Sequence, residues 1–347
     1  MLPLGRALQD AGHEVLVATA GEAAVADLDG LPVEDVAPQF SYLSTGLRMA
    51  LRHPLLTRAE RKGTAGTRAA ALTFGSVNDQ LADGLVALAE RWRPDLVVHD
   101  PLAVAGALAA ATAGVPAVLL DNTLIGGPDL AAVTAARFRR SRGLPPAAAT
   151  ISIAPPSVVG SRPGLPMRFL PYGEQADLPD WLTRPPSRPR IAVDLGRPGS
   201  RPLMSRAIAA VEAIDADLVL IEPETHLPQP PRAGSAGPVP LAAVLRHCAA
   251  VIHQAEASGV LAALHAGVPQ LAVNGNSAHR HNAAAVARRG AALAADDLDI
   301  TTDLVTRLIT DPSLATNAAE VEAEMAAMPD PAQLVSHLEE VRESAAR

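Results

Sequence analysis

The sequence predicts an α/β protein of two similar parallel-sheet domains in tandem, and three observations carry that prediction. The first is an internal echo. "PDLVVHDPLAVAGALAAATAGVPAVLL" (94–120) and "CAAVIHQAEASGVLAALHAGVPQLAV" (248–273) share one pattern. Each reads as a buried apolar strand, a short turn, an Ala-rich helix, "AGVP" and a second apolar strand. Glycine at a helix end with proline just beyond it is a stop signal. The second observation is the interval: Gly114 and Gly267 stand 153 residues apart (267 − 114), the length of one Rossmann-like half-molecule. The third is composition. A hydrophobic fraction of 48% in 347 residues fills sizeable cores, and 2% aromatic content leaves the packing to Ala, Val and Leu.

The elements follow in order. An N-terminal domain over 1–178 opens with a helix at 2–11 and a strand at 14–18, has helical stretches between 67 and 91, and then carries the first copy of the echo. "PDWLTRPPSRPR" (179–190) holds four prolines, which break any helix and suit an interdomain linker. The C-terminal domain, 191–330, starts with a strand at 191–195, a helix at 203–214 and a strand at 218–221. A proline- and glycine-rich loop (223–238) precedes the second copy of the echo. The tail, 331–347, reads as one amphipathic helix. In open parallel sheets ligands bind beyond the carboxyl ends of the strands. Two such domains therefore face a central cleft, with His99, Asp100, His253 and Gln254 near it.

Charge and cysteine usage exclude several classes. The formal net charge is −8 and no basic stripe stands out, which argues against nucleic acid as a partner. Lys62 is the only lysine, a bias of base composition and not of chemistry. Cys248 stands alone, so no disulfide framework is expected and a reducing cytoplasm fits. The most apolar run, 103–120, is mostly Ala and Gly and contains Pro116. It is expected to be a buried helix and strand, with no membrane span. No basic region followed by an apolar core marks a signal peptide at the N-terminus. The histidines show no metal-ligand spacing, and neither a metal nor another cofactor is expected.

Six strings, taken together and in this order, resemble the GT-B glycosyltransferases of the bacterial antibiotic-sugar type. They are "LPLGRALQDAGHEVLVATAGE", "PDLVVHDPLAVAGALAAATAGVP", "MRFLPYGEQADLPDWLTRPPSRPRIAVDLG", "VPLAAVLRHCAAVIH", "ALHAGVPQL" and "HNAAAVARRGAA". The third is most similar to the macrolide and anthracycline transferases. The resemblance implies a nucleotide-diphosphate deoxysugar as donor and a hydrophobic polyketide aglycone as acceptor. It also admits an auxiliary activator protein, since some members of that group need one.

Carried over residue by residue, the resemblance meets departures. The family's general base is a His at the end of the first strand, just before "PLLPLARAL". Here the sequence starts at Met1, Leu2, Pro3 and Leu4, without that strand and that His, so either the reading frame continues upstream, which is the expectation, or the N-terminal domain folds without its first strand. Asp100 aligns with the acidic partner of that His, and it is equally suited to cap a helix because Pro101 follows it. The family's donor loop, roughly "HHGGAGT", reads His253, Gln254, Ala255, Glu256, Ala257, Ser258, Gly259 here. Gln254 stands where the phosphate-binding His would be. The "DQ" pair that holds sugar hydroxyls aligns with Ala278 and His279, whereas Asn282 and Ala283 match. Gly196 and Arg197 fall where the family lines the donor loop, and Arg197 can pair with a phosphate or with Glu256.

Glu256 is the sharpest departure. A carboxylate about 4 Å from a phosphate costs on the order of 1–4 kcal/mol in a partly wet cleft. The residue reads as a first-turn acid that satisfies its own helix dipole, or as part of a donor site of altered chemistry. Three functions are compatible with these residues. One is inverting transfer of a deoxysugar to an aglycone hydroxyl, with Asp100 orienting the base and Gln254, Ser258 and Gly259 contacting phosphate. Another is a non-catalytic homologue that binds an aglycone or an active partner transferase. The third is a different reaction, relocated to His99 or His279.

Overall fold

The computed structural model describes residues 1–25, 28, 30–174, 176–195, 201–221, 233–237, 239–296 and 299–345. Twelve strands occur among them. They are β1 (Val17–Thr19), β2 (Val33–Asp35), β3 (Val97–His99), β4 (Ala117–Asp121), β5 (Ala149–Ser152), β6 (Leu165–Pro166), β7 (Arg190–Asp194), β8 (Asp217–Ile221), β9 (Ala233–Gly237), β10 (Ala250–Gln254), β11 (Gln270–Asn274) and β12 (Ala292–Asp296). All pair in parallel.

The C-terminal sheet runs β12-β11-β10-β7-β8-β9. Its first strand in sequence, β7, is central, and the chain winds outward from it in both directions. Both faces are buried, as a parallel sheet requires. Ile191, Val193, Leu218, Leu220, Ile252, Leu271 and Val273 pack into one cluster. The residues between them, Ala192, Val219 and Val251, pack into another on the opposite face. Strand order reverses between β7 and β10, so the carboxyl ends of these two strands form the switch point where a ligand fits.

The N-terminal half differs from a single wound sheet. β3-β4-β5-β6 form one sheet and β1-β2 a second, and no described strand joins β1 to β3. The helices Leu2–Asp10 and Arg68–Trp92 and the two halves of the echo otherwise fall close to where the sequence puts them. The first strand is Val17–Thr19, set later than 14–18. Gly114 and Gly267 both take positive φ (72° and 65°) where their Ala-rich helices stop, so the echo is structural. The tail is not one helix: a 3-10 turn, Pro331–Leu334, leads into the helix Val335–Ala345. Asp330 and Gln333 form a capping box at the start of that turn, which explains the break. The tail returns to the N-terminal half, where His13 meets Glu339 at 3.2 Å and Arg168 pairs with Asp330.

The proline-rich linker is also more ordered than its prolines suggest. One helical turn, Asp180–Thr183, forms ahead of Pro185. The buried guanidinium of Arg190 fixes it by donating to the carbonyls of Leu182 (2.6 Å), Trp181 (2.9 Å) and Arg184 (2.9 Å). Its Cζ lies 5.9 Å from the Trp181 ring centroid, and Leu182 is fully buried. No described helix is long and apolar enough to cross a membrane. The loop over 223–238 lies outside the described residues apart from 233–237.

Burial separates two neighbouring arginines. Arg190→Ala strands three carbonyls and is expected to lower the unfolding free energy by about 2–4 kcal/mol. Arg188→Ala removes only the exposed pair with Asp215 and should cost less than about 1 kcal/mol. Urea denaturation of the two variants checks the contrast.

Candidate functional site

A cleft of about 320 Å³ opens at the β7/β10 switch point. Asp194 and Leu195 end one wall. His253 and Gln254 from β10, Glu256 from the turn after it and Ser258 and Gly259 from the start of the next helix make the floor, and Phe169, Pro171 and Tyr172 close the side. The helix Ala257–His265 begins here, so its first-turn amides, which have no intrahelical partner, sit beside the cleft.

Buried amides hold the loop in place. His253 is buried and its Nε2–H donates to Gln270 Oε1 (2.9 Å). Burial lowers its pKa to about 4, the Gln270 bond opposes this shift, and the nearby His279 adds to it. It is therefore a neutral imidazole, with Nδ1 lacking a hydrogen-bond partner among the described residues. A Cβ on Gly259 would lie 3.0 Å from that nitrogen, so glycine allows the helix to start this close. Asn282 is buried, and its Nδ2 donates to Ala255 O (2.9 Å). It fixes the backbone of the loop from behind and does not line the cleft.

Glu256 is the N-cap residue and not part of the first turn, and its side chain makes no cap hydrogen bond. Its Oε1 lies 3.7 Å from Nε2 of His279 instead. His279 is no solvated loop histidine. It belongs to the helix Ser277–Arg288, is only 5% exposed, and its backbone amide is capped by Asn276 Oδ1 (2.8 Å). His281, two residues on, donates from Nε2 to Leu124 O (3.2 Å), and Ser277 Oγ accepts from Ala65 N (3.0 Å). This helix start thus ties the C-terminal half to the N-terminal half beside the cleft.

Asp100 lies elsewhere. Its Oδ1 accepts from Leu102 N (2.7 Å) and Ala103 N (2.9 Å), so it caps the turn after β3. The helix that follows starts later, at Ala105 with Val104 as its N-cap. The Asp100 charge reaches Tyr42, whose pKa is raised by burial and then by this carboxylate. His99 is buried, donates from Nδ1 to Asp100 O (2.9 Å), and has its pKa lowered by burial. Neither His99 nor Asp100 lines the cleft, so the structure divides the predicted residues. His253, Gln254, Ser258 and Gly259 share it, His279 and Asn282 stand beside it, and Asp100 is apart. Gly196 and Arg197 lie outside the described residues.

Sequence reasoning missed Asp194 and Tyr172. Asp194 was findable, because it ends the strand that opens the second domain. Tyr172 follows no periodicity. With Asp194 and Glu256, the described lining carries two carboxylates and no arginine or lysine. No cluster of potential metal ligands occurs among the described residues.

Two domains of parallel sheet with a cleft at the C-terminal switch point make up the GT-B fold of this chain's structural neighbours. The chain belongs to the erythromycin biosynthesis protein CIII-like family: that family's N-terminal domain matches residues 6–196 and its C-terminal domain residues 205–341. Its relatives are deoxysugar transferases of antibiotic biosynthesis. The L-demethylnoviosyl transferase of Streptomyces niveus is 34% identical over 329 residues, covering 84% of this chain and 80% of that protein. The glycosyltransferase SnogD of Streptomyces nogalater is 32% identical with a TM-score of 0.81, covering 98% of this chain and 94% of its own. SsfS6 of Streptomyces sp. SF2575, solved with thymidine diphosphate, is 25% identical with a TM-score of 0.82, over 98% and 95% of the two chains.

The depressed pKa of His253 has a consequence for stability. Unfolded, the imidazole binds a proton near pH 6.5; folded, it does so only near 4. The unfolded state therefore binds more protons between these values, and stability falls as pH drops through that window, by about 3 kcal/mol at most. Chemical denaturation of the wild type and of His253→Gln at pH 7 and pH 4.5 is expected to show a smaller loss in the variant.

Proposed function

We propose that the chain binds a nucleoside-diphosphate deoxysugar in the C-terminal cleft, binds a hydrophobic aglycone against the N-terminal domain, and transfers the sugar to an aglycone hydroxyl. The observation that carries this reading is the direction taken by Glu256. A carboxylate that capped its own helix would occupy the place of a phosphate. Here it turns to His279 on the neighbouring helix, so the amides of Ser258 and Gly259 remain beside the cleft for an anion. Gln254 adds an uncharged donor. The thymidine diphosphate bound by SsfS6 supports a nucleotide of this kind as the ligand. On the acceptor side Asp100 is held by two backbone amides, which fixes the carboxylate that aligns with the family's partner of the base.

A second reading rests on a specific observation. The described lining has two carboxylates, Asp194 and Glu256, whose charge opposes a phosphate and favours a homologue that keeps its aglycone and has lost its donor. Calorimetric titration of the folded chain with thymidine diphosphate separates the two. The transferase reading predicts a Kd below about 1 mM, tightened about tenfold in Glu256→Gln as one carboxylate–phosphate repulsion is removed. No binding to either protein, with circular dichroism showing both folded, would favour the second reading.

A further inference from the structure

The helices Tyr42–Arg52 and Pro54–Arg61 carry an apolar face that the fold leaves uncovered. Leu43 is 84% exposed, Leu47 60%, Leu51 73% and Leu55 82%. The first three recur at i, i+4 and i+8, one stripe of a helix, while Thr45 on the opposite side is buried. Single exposed leucines are ordinary; three in one stripe with a fourth on the next helix mark an interaction surface.

Charge identifies the partner. Arg48, Arg52, Arg58, Arg61 and Lys62 are all exposed within these 21 residues. Glu60 is the only carboxylate among them, and its Oε2 is buried. This cationic segment belongs to a chain of formal charge −8, and the absence of a basic stripe expected from the sequence is corrected here. We propose that this hairpin docks on an anionic lipid surface. The leucines enter the acyl boundary and the arginines meet the headgroups, which is the composition of an interfacial amphipathic helix. A nucleic acid would use the arginines and leave the leucines in water. A two-fold contact with a second copy would bury the leucines but set one cationic face against another. The helix starts at Tyr42, which packs edge-on against Phe40 (centroids 4.6 Å apart) and feels the charge of Asp100. Docking would thus hold the acceptor side of the protein at the membrane, where an apolar acceptor concentrates.

Co-sedimentation with vesicles tests this. Vesicles of phosphatidylcholine mixed with phosphatidylglycerol should carry the chain down, and phosphatidylcholine alone should not. The double variant Leu47→Asp, Leu51→Asp alters only exposed positions and should abolish sedimentation with an unchanged circular dichroism spectrum. Arg52→Gln should weaken it about fivefold, the share of one cation near an anionic surface. Failure to sediment with the mixed vesicles would overturn the proposal, as would binding that the leucine variant retains or that phosphatidylcholine matches. A dimer in solution that the leucine variant dissociates, with no lipid binding, would assign the face to contact between copies.

Discussion

The N-terminus of the helix Ala257–His265 presents its first-turn amides to the cleft, and it cannot serve two anions at the same place. The sequence supplies one of them, because its N-cap residue is Glu256. Whether a ligand phosphate can be the other depends on where that carboxylate goes, and the surrounding structure is arranged around this. Asn276 caps the helix that brings His279 within 3.7 Å of Glu256. Asn282 holds the Ala255 carbonyl, and Gln270 accepts from His253 under the loop, where burial keeps the imidazole neutral. Each is an amide side chain whose bond fixes a neighbour, so the geometry of the loop rests on these hydrogen bonds together with the missing Cβ at Gly259.

The sheet determines where this happens. β7 is central, and the reversal of strand order next to it opens the switch point that Asp194 and Gln254 line. The two halves then meet through the start of the helix Ser277–Arg288, by Ser277 to Ala65 and His281 to Leu124. The residues that stand beside the cleft therefore also fix its position relative to the N-terminal half. Loss of a cap there would be felt at both places.

Much of this was legible in the residues. The repeated "AGVP" located two strand–helix–strand units, because a glycine that must take positive φ and a proline that cannot continue a helix leave little choice. The donor-loop residues were legible for the same reason: they follow the end of a buried strand. What was not legible depends on tertiary context. Glu256 was read one residue too far into its helix, and only the paired geometry shows that it spurns its own cap for His279. The burial of His279 has no periodic signature, because its neighbours in the sequence are mostly polar. The linker prolines concealed a pinned turn, since Arg190 acts across strand and turn. The split between β1-β2 and β3-β6 is a pairing outcome that no local pattern announces.

The central claim is that the Glu256–His279 pair leaves the helix N-terminus to a phosphate. A crystal structure of the chain soaked with thymidine diphosphate tests it most directly. The account predicts the β-phosphate on the backbone amides of Ser258 and Gly259, with Glu256 still facing His279. A cleft without nucleotide and with the Glu256 carboxylate seated on those amides, or a phosphate bound elsewhere, would contradict it.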